Sequence, residues 1–230
     1  IWFKNRSDIA VDTLWDAATR AGKRVAIVTW PSTYGAKVEW LVPEDLANFA
    51  DPTADVRAGS TPGLFDSLGA ATHVPALMPF LQPEAGLPLD RMTGEFAAEV
   101  VRRHRPSLLL VHFLDYDHRM HYGVHSADAC KALERIDSYV AALIEAYRAA
   151  GILERTTFFV VSDHGFRKVD RNVSLFALLE AAGWSSVFPG QPIDKSMVLK
   201  VAGGSVALYP PEGAGPEWTK KVRERIGPAV

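Results

Sequence analysis

The chain has 230 residues, of which 48% are hydrophobic, and this size suits one large globular domain. A formal net charge of −2 provides no basic field for nucleic-acid binding. The single cysteine, Cys130, excludes an internal disulfide and a cysteine-based zinc framework, and no apolar run approaches the length of a membrane span.

The N-terminal part of the chain begins with a predicted helix and strand. Ser7 or Asp8 could cap a helix over 8–21, with Gly22 as its stop and Leu14 on its apolar stripe. The run KRVAIVTW, residues 23–30, predicts a buried strand. Frequent prolines interrupt the pattern over 31–90, which we interpret as an insert or lid within the domain; a long ordered connection is the alternative.

From residue 93 the chain alternates between helical apolar repeats and short apolar strands. The predicted helices cover 93–105 (with Thr93 as cap), 126–150 (with Ser126 as cap), 174–182 and 216–227. The predicted strands cover 107–114, 156–163, 197–201 and 205–210, the last two as a hairpin, and 115–125 is predicted as a polar loop. This alternation predicts an α/β fold with a central, largely parallel sheet between helices.

Polar side chains follow two of the predicted strands. If strands 107–114 and 156–163 flank helix 126–150 in one parallel sheet, their carboxyl ends lie at the same edge. Ligands bind at that edge in open α/β sheets. The loop after the first strand carries Asp117 and His121, and the second strand ends at Asp163 and His164.

The two Asp/His pairs indicate a metal centre. Carboxylates and imidazoles suit zinc, manganese or iron, and two such pairs correspond to the halves of a two-metal site. An Asp at a strand end is often only a helix cap, and a single Asp-His pair often occurs by chance. Two pairs at the ends of strands that flank one helix favour a functional site. His118 and His125 on the same loop could contact a metal ligand or substrate, or could be solvated histidines.

Several segments resemble a known family. SDHGF, residues 162–166, resembles the Ser-Asp-His-Gly-Met signature of the alkaline phosphatase superfamily. LDYDHRMHYG resembles the Asp-x-x-x-His-x-x-Gly segment of its type I phosphodiesterase/nucleotide pyrophosphatase family, with Gly123 one residue early. KRVAIVTWPS resembles the family's strand and Trp-Pro-Gly-Ser segment, with Ser32 in place of glycine, and RNVSLFALLEAAGW resembles the segment after the Asp-His pair. The resemblance covers roughly 8–41 and 93–184.

The resemblance implies an alkaline-phosphatase-like fold and a hydrolytic activity. Its expected substrates are small phosphodiesters, nucleotides or related phosphate esters, attacked in line by a threonine or serine alkoxide. It also implies two divalent metal ions, usually zinc, with manganese or iron as further possibilities. Asp163 and His164 would hold the metal that activates the nucleophile, and Asp117 and His121 would hold the metal on the water side.

The chain also departs from the family pattern. The family's first metal-binding Asp and its nucleophile precede the segment at which this chain begins, and no histidine follows His164. We therefore expect residues 1–230 to be a single truncated catalytic domain, inactive or nearly so when isolated. The alternatives are a non-catalytic or a phosphonate-hydrolysing relative. The chain starts with neither a signal-peptide pattern nor Met, which leaves both a cytoplasmic and an exported location open.

Overall fold

The computed structural model describes residues 3–45, 52–72, 88–181, 198–202, 204–210 and 212–226. The chain forms two compact units, Ile1–Arg167 and Lys168–Val230. The strands are β1 (Val25–Val28), β2 (Trp40–Val42), β3 (Leu108–Val111), β4 (Val198–Ala202) and β5 (Ser205–Tyr209). The helices are α1 (Leu14–Arg20), α2 (Pro52–Gly59), α3 (Leu64–Thr72), α4 (Pro88–His104), α5 (Asp115–Tyr122), α6 (Ala127–Ala149), α7 (Leu175–Ala181) and α8 (Pro216–Ile226), with short 3-10 helices at Arg6–Asp8 and Leu153–Arg155.

The centre of the first unit is a three-stranded parallel sheet in the order β2-β1-β3. Ala26 of β1 is in register with Trp40 on one side and Leu109 on the other. The four residues of β1 are all buried, as expected for a strand covered on both faces. The segment 31–90 contributes β2 to this sheet, and its proposed action as a lid stays a prediction.

Helices cover both faces of the sheet. Ala26 and Val28 point to a core cluster that includes Phe65 of α3 and Phe96 of α4. Val25 and Ile27 point the opposite way and pack with Trp15 of α1. This alternation follows from the two-residue repeat of a strand. It confirms the predicted α/β class with a parallel sheet between helices.

The predicted start of the first helix is wrong. Residues Arg6–Asp8 form a 3-10 helix, and α1 begins only at Leu14. Thr13 is the cap: its side chain accepts the N–H of Asp16, and the Asp16 carboxylate accepts the N–H of Thr13. Leu14, predicted on the buried stripe, is 62% exposed, and the neighbouring Trp15 is buried instead.

Two further boundaries differ from the prediction. Helix α4 begins at Pro88, so Thr93 is not its cap but a buried residue within it. The predicted loop 115–125 contains helix α5. The carboxylate of Asp90 accepts the N–H groups of Leu114 and Asp115, which satisfies donors at the start of α5 from outside that helix. No local pattern in the loop sequence could have shown this cap.

The predicted strand 156–163 is also wrong. The structure assigns no strand to these residues, and Phe159 and Val160 are 84% and 88% exposed. An apolar, β-branched run favours a strand only where a neighbouring strand pairs with it. The helix before it is confirmed, because α6 begins after Ser126, whose side chain accepts the N–H of Ala129.

The second unit confirms three predicted elements. Helix α7 and helix α8 lie where the apolar pattern predicts them. Strands β4 and β5 form an antiparallel hairpin with Val198 opposite Tyr209. The predicted hairpin turn includes Gly203, which lies outside the described residues. Among the described helices, none is long and apolar enough to cross a membrane.

Candidate active site

Helix α5 places Asp117 and His121 on one side of its axis. The two residues are four apart, so their side chains are neighbours on consecutive turns. Nε2 of His121 lies 3.4 Å from Oδ2 of Asp117. The side chains are 63% and 39% exposed, respectively, so both are accessible from solvent.

The second Asp/His pair meets the first at the same carboxylate. Nε2 of His164 lies 3.4 Å from Oδ1 of Asp117 and 3.7 Å from Oδ2 of Asp163. Asp117 therefore has one oxygen near each of His121 and His164. The structure thus brings all four predicted site residues together, although the strand predicted before Asp163 is not formed. We call these four residues the Asp117 cluster.

Hydrogen bonds order the segment that carries His164. Its backbone N–H donates to Oδ1 of Asp163 at 3.0 Å, and its carbonyl accepts the hydroxyl of Ser162. Its ring Nδ1 lies 3.2 Å from the carbonyl oxygen of Gly165, which can only accept. In the neutral ring Nδ1 then carries the proton, and Nε2 presents its lone pair towards Asp117.

The ring of Phe166 flanks both histidines. It lies edge-on to His121 and to His164, with ring centroids 5.0 and 5.1 Å apart, respectively. The two imidazoles are themselves 6.3 Å apart between centroids. Phe166 thus supplies an apolar wall beside the two rings and limits their orientations.

The donor chemistry of the cluster fits a divalent cation. With Nε2 unprotonated, His164 and Asp117 turn lone pairs towards each other, and a proton or a cation between them would make that contact favourable. In the structure these groups lie in pairs, with Nε2 of His121 and Nε2 of His164 each 3.4 Å from one oxygen of Asp117. Within the described ranges, no group of three or more His, Cys, Asp or Glu side chains has an arrangement that could hold a metal ion.

A buried carboxylate attaches α5 to α6. Asp115, the first residue of α5, is 1% exposed. It accepts hydrogen bonds from Arg135 of α6, the shorter at 2.6 Å, and from Arg119 on the next turn of α5 at 3.1 Å. Two guanidinium groups therefore compensate one buried carboxylate and hold the helix that carries Asp117.

Sequence reasoning missed a second pair at the carboxyl edge of the sheet. His112, directly after β3, places Nδ1 3.1 Å from Oε1 of Glu44, which follows β2 and is fully buried. The available signal was a histidine near the end of the otherwise apolar run SLLLVHFL. No local sequence pattern pointed to Glu44, because its partner His112 lies far from it in the sequence.

Burial and charge change two pKa values at this edge. Burial disfavours the charged form of His112, but the hydrogen bond and charge of Glu44, with the charges of Asp90 and Asp163, outweigh it and raise the pKa. Burial raises the pKa of Asp90 to about 6, against the opposing effect of its two backbone hydrogen bonds.

His118 and His125, which were considered from the sequence, and Thr29 after β1 make the following contacts. The ring of His118 packs edge-on to Tyr122, with centroids 5.1 Å apart. The backbone N–H of His125 donates to the sulfur of Met120. Thr29 is buried, and its hydroxyl bonds to Thr93 and to the carbonyl of His112.

Comparison with known proteins gives one match. The model of the type I phosphodiesterase / nucleotide pyrophosphatase family matches residues 2–228. The match thus includes 42–92 and the C-terminal segment, where the sequence alone showed no resemblance. Searches of curated proteins and of solved structures each found no match.

Proposed function

Because the chain belongs to the type I phosphodiesterase/nucleotide pyrophosphatase family, within the alkaline phosphatase superfamily, we propose that its Asp117 cluster is a metal centre for phosphodiester or pyrophosphate hydrolysis. The family supports phosphodiesterase or pyrophosphatase activity in general and small phosphate esters as substrates. The metal ions and the residues that hold them are our proposal.

One observation carries this proposal. The two oxygens of Asp117 lie 3.4 Å from the Nε2 atoms of His121 and His164, which belong to separate segments of the chain. Carboxylate and imidazole groups on a partly exposed surface are donors of the types that zinc, manganese and iron bind.

Each member of the cluster has a proposed role. Asp163 and His164 would hold one divalent ion, and Asp117 and His121 would hold the other. When bound, such ions favour the deprotonated form of a hydroxyl or water and clamp the oxygens of an in-line displacement. The Gly165 carbonyl accepts a hydrogen bond from Nδ1–H of His164, which leaves Nε2 of that ring available for a metal.

Zinc binding tests the proposal directly. We expect the chain to bind zinc or manganese in equilibrium dialysis with elemental analysis, and Asp117→Asn to weaken binding by more than about 100-fold, beyond the roughly 10–100-fold loss typical of outer partners. Asp137→Asn on the exposed face of α6 makes the same chemical change away from the cluster and should leave binding unchanged.

Hydrolysis of bis(p-nitrophenyl) phosphate and p-nitrophenyl phosphate is measured beside metal content. Diester hydrolysis that depends on the bound metal would support the proposed activity. Zinc binding that Asp117→Asn leaves undiminished would show that the metal centre has been placed wrongly. A folded chain that binds no divalent metal would favour the non-catalytic alternative.

A further inference from the structure

Glu44 and His112 form a pair of titratable side chains separate from the Asp117 cluster. Glu44 is fully buried, whereas the His112 side chain is 32% exposed. Because Nδ1 of His112 is directed at the buried carboxylate, Nε2 on the other side of the ring points away from Glu44. In the part of the chain that the structure describes, Nε2 has no hydrogen-bond partner.

The backbone around His112 is held in place at the end of the sheet. Its N–H donates to the carbonyl of Val28 at 3.3 Å, and its carbonyl accepts the hydroxyl of Thr29 at 2.9 Å. Thr29 has a φ of 54°, which is unusual for a β-branched residue. With the backbone and Nδ1 both bonded, His112 loses little further freedom when its ring binds a ligand.

The charge of this pair favours an anionic ligand. A buried carboxylate needs a positive partner, and Oε2 of Glu44 is buried without a hydrogen-bond partner among the described residues. His112 in its imidazolium form neutralises Glu44 and turns an Nε2–H donor away from it. Such a charge-assisted donor suits an oxygen of a phosphate group.

The pair also lies close to the Asp117 cluster. The negative charge of Asp163 is near enough to raise the pKa of His112. His112 directly follows β3 and precedes by three residues the start of α5, which carries Asp117 and His121. His112 and the helix that carries Asp117 and His121 thus lie at the same edge of the sheet, where one phosphate group could contact both sites.

We infer that His112 binds a non-bridging oxygen of the substrate's phosphate group through Nε2–H, and that Glu44 is a positioning residue that holds the ring and its charge. This inference rests on the proposed function, because it assigns the substrate contact of the same site. In this arrangement the phosphate group has a hydrogen-bond donor from the protein in addition to the proposed metal ions.

Inorganic phosphate is the probe for this contact. Its binding to the chain is followed, with and without zinc, by NMR of the histidine ring nitrogens. We expect a saturable shift of the His112 Nε2 signal, and a dissociation constant raised about tenfold by His112→Gln. Glu44→Gln keeps an acceptor for Nδ1 but removes the charge, so we expect a smaller loss of about threefold.

His104→Gln is the matched control. His104 is likewise a partly buried histidine, and its ring is stacked on Trp40 with 4.5 Å between the ring centroids. Trp40 begins β2, so this histidine lies at the amino edge of the sheet, opposite His112. Phosphate binding should be unchanged in this variant.

The outcomes separate this inference from the proposed function. Phosphate binding that depends on His112 in a folded chain that binds no zinc would support the inference and count against the proposed metal centre. Metal-dependent hydrolysis with kcat, KM and phosphate affinity unchanged in His112→Gln would overturn the inference alone. The inference also fails if the wild-type chain binds no phosphate at His112. Circular dichroism and thermal unfolding establish that each variant is folded.

Discussion

The carboxylate of Asp90 accepts the backbone N–H of Asp115 at 2.9 Å, and this bond joins the start of α4 to the start of α5. Asp90 also accepts the N–H of Leu114 at 2.9 Å and is 2% exposed. Two turns of α5 then carry Asp117 and His121. The position of half of the proposed metal centre thus depends on a residue that takes no direct part in it.

Replacing Asp90 by alanine should destabilise the protein and weaken the metal centre together. Two backbone N–H groups lose their acceptor in a buried place, so we expect Asp90→Ala to lower the free energy of unfolding by about 1–3 kcal/mol. Urea unfolding at pH 5 and zinc dialysis measure the two effects. The control is Asp12→Ala, which removes only an exposed ion pair with Arg20 and should change stability by less than about 1 kcal/mol. Equal effects of the two variants would contradict the capping role.

The pKa of Asp90 predicts a specific pH dependence. Its folded pKa of about 6 lies above the ordinary 3.8, so the protonated form favours the folded state. The stability from this group is complete below about pH 4 and is lost as pH rises through 6. Relative to Asp90→Asn, the wild type should lose up to about 3 kcal/mol between pH 4 and 7. Urea unfolding measures the free energy of unfolding of both proteins across this range. If the difference between the two free energies stayed constant, the assignment would be contradicted.

Arg135 should contribute more to the stability of the protein than an exposed arginine on the same helix. Arg135→Met leaves the buried Asp115 with Arg119 alone, so we expect a loss of about 2–4 kcal/mol in the free energy of unfolding. Arg148→Met on α6 removes a pair in which both side chains are more than half exposed and should change stability by less than about 1 kcal/mol. Similar values for the two variants in urea unfolding would argue against the buried ion pair.

Two glycines in neighbouring helices should respond oppositely to alanine. A Cβ at Gly94 of α4 would lie 2.8 Å from Cβ of Tyr139, so Gly94→Ala should destabilise by about 1–3 kcal/mol through overpacking. A Cβ at Gly69 of α3 would meet only Phe96, at 4.0 Å. Gly69→Ala should therefore stabilise by about 0.5–1 kcal/mol through helix propensity. Thermal unfolding compares the two, and the same sign for both would contradict the close approach at Gly94.

Acid should weaken the cap of α1. The hydrogen bond from Arg6, with those from Thr13, lowers the pKa of Asp16 to about 2, so its contribution to stability is present above about pH 4 and is lost as pH falls towards 2. We expect a loss of up to about 2 kcal/mol over this interval, reduced by solvent at the partly exposed side chain. Asp16→Asn should show a flatter acid profile in urea unfolding, and an unchanged profile would contradict the assignment.

The sequence predicted well the elements whose signals are local. Ser126 and the apolar repeat after it determine α6, because a cap and a helical face involve residues three or four apart. The apolar run of β1 likewise predicted a strand covered on both faces. The first helix start was missed because Ser7, Asp8 and Thr13 are all chemically suitable caps, and only Thr13 forms the reciprocal bonds with Asp16.

Residue types and spacing alone selected Asp117, His121, Asp163 and His164 as candidates, because carboxylates and imidazoles at these intervals suggest a metal centre. Their meeting at Asp117 depends on the path of the chain from α5 to residue 164, and it occurs without the strand predicted there. The cap of α5 by Asp90 and the pairing of Glu44 with His112 were decided only by the tertiary structure. Their partners lie far apart in the sequence, and only packing of the sheet and helices brings a buried carboxylate to its donor.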